Sequence, residues 1–201
     1  MEDLITFEAD GITIEGLFVQ NSDSKAVIIT HPHSLYGGDM HNSVVYLIHK
    51  AYSEKGFSTL RFNFRGVGNS SGTFDDGIGE QNDLKAACDF LSAKGFQAID
   101  LAGYSFGSWV GASLACQNDL FNRVVLVSPP VSFMDFSSIS QIPSLTLTVV
   151  GDQDDFADLG QLKERMALLN AEAHLKILPN TDHFYSGNLE ELKTILQAGI
   201  E

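Results

Sequence analysis

The chain reads as a three-layer α/β domain built on a mostly parallel sheet with an antiparallel hairpin at its N-terminus. Three observations carry that reading. Residues 4–8 and Ile12–Val19 alternate apolar and polar side chains around Asp10-Gly11, the pattern of a hairpin. Most later strand candidates are continuous apolar runs, as expected of strands covered on both faces. Those runs alternate with stretches of helical period, so their connections are crossovers between parallel strands. With 201 residues, 44% of them hydrophobic, and no internal repeat, low-complexity tract or linker, residues 1–201 read as one domain with a sizeable core.

The elements follow in order. Lys25–Thr30 is a buried strand ending at His31-Pro32-His33, and the loop 34–39 carries Gly37-Gly38. From about residue 40 to 55, Val44, Val45, Leu47, Ile48, Ala51 and Tyr52 mark a helix closed by Gly56. Residues 57–64 form a strand and 65–79 a Gly-rich loop. Residues 80–94 are a helix with Leu84, Ala87, Cys88 and Leu91 on one face and Gly95 as its stop. Residues 98–102 are a strand, and 103–107 turn sharply into a helix that runs to about Asn118. Arg123–Val127 is a buried strand, residues 131–142 are irregular, and 145–150 form a strand that stops at Gly151. A helix over 159–170, a strand at His174–Leu178 and a helix over 189–197 complete the chain.

Composition excludes several partners. The net charge of −14, from 12 Lys and Arg against 26 Asp and Glu, argues against nucleic acid or an anionic membrane. Residues 1–4 lack the basic start of a signal peptide, and no stretch approaches the ~18 apolar residues of a membrane span. Cys88 and Cys116 each fall within a helix and read as small core residues in a reducing compartment. The cytoplasm is the expected location.

The chemistry centres on Gly103-Tyr104-Ser105-Phe106-Gly107. A Ser between strand and helix on so tight a turn has a strained backbone, and a side chain on either flank would clash, hence Gly103 and Gly107. The turn lifts the hydroxyl off the sheet, and the helix points its free N–H groups at the same spot. A base is needed: His183 lies in Asn180-Thr181-Asp182-His183-Phe184, a loop at a strand's carboxyl end, whereas His174 sits in a strand. An acid to orient it is expected after the strand 145–150, in Gly151-Asp152-Gln153-Asp154-Asp155. Asp154 is preferred because it can turn back over the sheet edge; Asp152 is the runner-up, suited to an Asx turn, and Asp182 reads as structural. Two N–H groups must receive an oxyanion: Phe106 supplies one and His33 or Ser34 the other, since Pro32 has none.

Other motifs read as structure. His31, His33 and His41 lack zinc spacing, and His31 is expected to be packed and bonded to backbone. The aspartates of 152–155 lack the spacing of a Ca²⁺ loop. The stretch 65–72 lacks the Lys-Ser/Thr of a phosphate loop and reads as a tight turn, with Arg65 tied to Asp75, Asp76 or Glu80. No metal or cofactor is expected.

Taken together, His31-Pro32-His33 with Gly37-Gly38, the run from Asn63 to Gly72, the Gly103–Gly107 motif, Gly151-Asp152-Gln153-Asp154 and Asp182-His183-Phe184 resemble the α/β-hydrolase superfamily over essentially the whole chain. More narrowly, the chain is similar to small, cap-less bacterial hydrolases related to dienelactone hydrolase and short-chain esterases. The resemblance implies an α/β-hydrolase fold with nucleophile Ser105, acid Asp154 and base His183, in that family's order of Ser, acid, His. It implies oxyanion donors at Phe106 and in the loop at His33 and Ser34. Dienelactone hydrolase itself uses a Cys nucleophile where this chain has Ser105. The segment 128–144, where a cap inserts in the superfamily, is too short for one. The cleft is therefore expected to be shallow, lined by Tyr104, Phe133, Met134 and Phe136, and to take a small or exposed acyl group. The expected reaction is hydrolysis of a small-molecule ester or thioester; a peptidase with the same triad and a non-catalytic binding protein are the alternatives. Exposed helix faces are compatible with a homodimer, and nothing in the sequence marks its interface.

Overall fold

In the computed structural model, which describes residues 1–200, β1 (Asp3–Ala9) and β2 (Ile12–Val19) pair antiparallel from Asp3↔Phe18 to Ala9↔Ile12. Asp10 and Gly11 close the hairpin at φ 52° and 79°, the two positive values that a two-residue turn matched to strand twist requires. The remaining strands are β3 (Lys25–Thr30), β4 (Ser58–Phe62), β5 (Ala98–Tyr104), β6 (Arg123–Val127), β7 (Leu145–Gly151) and β8 (His174–Leu178). They form one sheet in the order β1-β2-β4-β3-β5-β6-β7-β8. β2 meets β4 antiparallel, and every pair from β4–β3 to β7–β8 is parallel.

The strand period of two divides the apolar side chains between the faces. Val27, Ile29, Ala102, Val125 and Val149 pack under α1 (Ser43–Glu54) and α5 (Leu189–Gly199). Ile28, Leu101, Val124, Leu126 and Val150 pack under α2 (Ile78–Ala93), α3 (Phe106–Ala115) and α4 (Leu159–Leu169). This is the expected three-layer α/β-hydrolase architecture without a cap. Among the described residues, no helix is long and apolar enough to cross a membrane.

Boundary differences have local causes. α1 starts at Ser43, later than its apolar pattern suggests, because Asn42 caps it, accepting from Val44 N–H at 2.9 Å. Met40 is instead held outside the helix, its N–H on Asn63 Oδ1 and its carbonyl on Arg61 Nη1, both at 2.8 Å. α2 starts earlier, at Ile78, because the Glu80 carboxylate reaches back to the N–H groups of Gly77 (2.8 Å) and Asp75 (3.0 Å). Residues Ser34–Tyr36 form a short 3₁₀ turn that no periodicity announced.

Candidate active site

Between β5 and α3 the chain reverses at Ser105, whose φ of 54° and ψ of −122° are strained for a residue with a side chain. The flanking glycines make this turn possible. A Cβ on Gly103 would stand 2.6 Å from the Gly107 carbonyl oxygen, and one on Gly107 would stand 2.6 Å from that of His31. Ser105 N–H donates to the carbonyl of Val127 at the end of β6 (2.9 Å), so the neighbouring strand also fixes the turn. Phe106 N–H is the first amide of α3, in the turn where helix donors have no partner within the helix.

His183 stands in the loop after β8 with its Nε2 2.9 Å from Ser105 Oγ. Its Nδ1 lies 2.8 and 2.9 Å from the two carboxylate oxygens of Asp154, in the loop after β7. All three side chains are buried. Asp154 Oδ1 also accepts from the N–H groups of Phe156 (3.0 Å) and Ala157 (3.1 Å), which hold the carboxylate in place. The runner-up acid, Asp152, is exposed and accepts from Thr181 N–H at 3.3 Å, away from the imidazole. Asp182 accepts from Phe184 and Ser186 N–H, both at 3.0 Å, and shapes the histidine loop.

The other wall comes from the loop after β3. His33 faces the cleft with its ring 4.7 Å from that of Phe106, whereas Ser34 starts the 3₁₀ turn and does not line the cleft. Gly38 N–H donates to the His33 carbonyl at 3.0 Å, and a Cβ on Gly38 would stand 2.1 Å from the Pro32 oxygen, so only glycine folds this loop back. Behind it lies His31, fully buried. Its Nδ1 is 2.6 Å from the Pro32 carbonyl and its Nε2 accepts from Phe64 N–H at 3.0 Å. That pairing assigns the neutral Nδ1–H tautomer, in agreement with burial lowering its pKa to about 4.

A strained serine, an imidazole and a carboxylate thus form one hydrogen-bonded line on three loops at the carboxyl ends of parallel strands, and the chain that carries them has counterparts among known proteins. Residues 32–144 match the family model for the alpha/beta hydrolase fold. The chain belongs to the α/β-hydrolase family. This α/β hydrolase is 36% identical over 190 residues to the uncharacterized protein RP471 of Rickettsia prowazekii, covering 89% of this chain and 80% of the relative. It superposes on an alpha-beta serine hydrolase homologue from Coxiella burnetii with a TM-score of 0.91 and 33% identity, over 99% and 97% of the two chains. XC6422 of Xanthomonas campestris, described as a serine hydrolase without lid, follows at 0.90 and 31%, over 99% and 93%.

The hydrolase opens its site through a cleft of about 500 Å³. Tyr104, Phe133 and Met134 line it, as the sequence suggests. Phe136 does not: it turns inward and is 2% exposed among Ile139, Ile142 and the α4 side chains. The irregular segment has no period from which to tell its inward positions from its outward ones. Tyr104 also braces the histidine loop, donating its hydroxyl to the His183 carbonyl at 2.9 Å. Tyr36, Phe156 and Phe184 complete the rim and escape sequence reasoning, since each comes from a different loop. Below the site, the buried Tyr185 hydroxyl is 2.9 Å from Ser128 Oγ, tying the histidine loop to the end of β6. The partner of Arg65 is Asp83, one turn further into α2 than Glu80, with Nη2 to Oδ1 at 2.8 Å.

Proposed function

We propose that this α/β hydrolase cleaves a carboxylic ester or thioester through an acyl-enzyme on Ser105. The observation that carries the reading is the continuous line from Ser105 Oγ through His183 to Asp154, 2.9 Å and 2.8 Å long in its two links. Asp154 fixes the proton on His183 Nδ1, which leaves Nε2 free to accept the serine proton. Ser105 Oγ attacks the substrate carbonyl as Nε2 takes that proton. The amides of Phe106 and His33 receive the oxyanion, each lowering the barrier by about 3–4 kcal/mol. The tetrahedral adduct collapses, and the imidazolium protonates the departing alkoxide or thiolate. Water then adds to the acyl-enzyme with its proton going to Nε2, and the serine is released with its proton restored. The cap-less cleft supports a small or exposed acyl group.

The test is turnover of a short 4-nitrophenyl ester beside its matched anilide, by wild type and Ser105→Ala. The reading expects ester turnover that far exceeds anilide turnover and falls at least about a thousandfold in the variant. Equal activity in folded Ser105→Ala would overturn the mechanism. Dominant anilide turnover would make the enzyme a peptidase.

A further inference from the structure

The distribution of charge around the cleft is one-sided. Every residue lining it comes from within residues 26–49, 95–122, 124–162 and 177–192, and these four stretches contain no Lys or Arg, although the chain has 12. Carboxylates adjoin the lining residues instead, and Asp182 acts electrostatically on the lining Tyr104. Asp39 follows the lining Gly38, Asp155 precedes Phe156, Asp182 precedes His183, and Asp76 acts on His33. The helix α4 brings Arg165 towards the outer wall, where it faces Asp135. Arg65, behind the loop after β3, is taken by Asp83 and Asp10. His33 does not add a positive charge at neutral pH, because burial among rings lowers its pKa against the pull of Asp76.

The second feature is aromatic. Tyr36, Phe133, Phe156 and Phe184 are 76%, 53%, 37% and 63% exposed. Tyr36 meets Phe133 at 6.3 Å between ring centres, and Phe133 meets Phe156 at 5.9 Å, so the rim is continuous from the loop after β3 to the acid loop. Ring faces carry negative potential and attract cations. A low-dielectric cleft with carboxylates at its mouth concentrates ligands of one sign and repels the other.

We propose that this cleft selects its acyl substrate by charge, taking cationic and uncharged compounds and rejecting anionic ones, acyl groups on phosphate-bearing carriers included. The inference rests on the hydrolase reading above and narrows its substrate class. An anionic acyl or leaving group would have to approach the serine past the carboxylates with no basic side chain to pair with. An ammonium group on a short chain would meet the aromatic rim while its carbonyl sits at Ser105.

Three 4-nitrophenyl esters of similar length test it: pentanoate, the glutarate half-ester and 4-(trimethylammonio)butanoate. Each kcat/KM is divided by the ester's hydroxide-catalysed rate. At low salt the expected order is cationic, then neutral, then anionic, with roughly tenfold or more between neutral and anionic. In about 0.5 M salt, where the screening length falls to roughly 4 Å, the spread narrows. Asp76→Asn, at an exposed position whose φ of 49° suits Asn, narrows it at low salt by reducing the rejection of the anion. An anionic ester that turns over as fast as the neutral one would overturn the inference and leave the hydrolase reading standing. Covalent labelling of Ser105 by a fluorophosphonate, with no turnover of any of the three esters, would also overturn it. Neither labelling nor turnover in folded protein would remove both readings.

Discussion

The loop after β3 and the wall after β6 face each other across one cleft and are held by different forces. The first is tied by buried polar groups. His31 uses both ring nitrogens on backbone, and Met40 is held by Asn63 and Arg61. Asn63 in turn donates to Glu15 Oε1 at 2.7 Å. The same carboxylate takes the N–H and side-chain amide of Asn69 at 2.6 and 2.8 Å. Burial alone would raise the Glu15 pKa; these donors outweigh it and hold the carboxyl below its ordinary range. The second wall, residues 128–144, is held from beneath by Phe136, Ile139 and Ile142 in the core and by backbone bonds such as Met134 N–H to the Pro130 carbonyl at 2.8 Å. Its outward face is Phe133, half exposed. Buried directional bonds suit a loop that, in the proposed mechanism, holds an oxyanion donor to a fraction of an ångström. Apolar anchoring with a free outer face suits a surface that meets variable parts of a substrate.

That contrast is breakable at each end. Removing the hub, Glu15→Ala, strands the buried amide of Asn63 and takes away the acceptor of the exposed Asn69; the expected loss is about 4 kcal/mol in denaturant unfolding, with kcat falling in whatever protein remains folded. A loss under about 1 kcal/mol would show that the loop after β3 does not depend on this network.

The next effect is a pH dependence carried by His31. Its folded pKa is about 4 against an ordinary 6.5, because burial disfavours the cation and both ring nitrogens are already committed. Between these values the unfolded chain binds a proton that the folded chain refuses, so stability falls as pH falls through that window. The contribution levels off below pH 4, after a loss of about 3 kcal/mol. The stability advantage of wild type over His31→Gln should therefore shrink as pH drops from about 7 to about 4. A difference independent of pH would contradict the neutral, doubly bonded imidazole.

Phe133→Ala is the smallest perturbation. With its ring half exposed on the apolar-anchored wall, the variant should keep its melting temperature within about 2 °C. KM for an aryl ester should rise roughly threefold to tenfold with kcat little changed. A collapse of kcat would mean that this wall, too, positions the reacting groups.

The same contrast sets how much was legible in the sequence. The layers, the hairpin and the mostly parallel sheet are legible because apolar runs and helical stripes are local patterns, and they place most elements within a few residues; the strand order is not. The meeting of Ser105, His183 and Asp154 is legible because the glycines of a tight turn and the loop ends after successive strands fit the Ser, acid, His order that the α/β-hydrolase resemblance implies. The preference for Asp154 over Asp152 rests on loop reach and on the resemblance, and it is the fold of 151–157 that turns one inward and the other to solvent. The partner of Arg65, the inward turn of Phe136, and the rim of Tyr36, Phe156 and Phe184 depend on contacts between distant segments. No spacing within one segment announces those. Tyr185 left no mark beyond its position two residues after the histidine.

The most direct test of the central claim is fluorophosphonate labelling followed by intact mass, on wild type, Ser105→Ala and His183→Ala. An activated serine predicts one adduct per chain on wild type, none on Ser105→Ala, and labelling slowed by orders of magnitude on His183→Ala. A wild-type protein that is folded and takes no adduct, or a Ser105→Ala protein that takes one equally fast, would contradict the account.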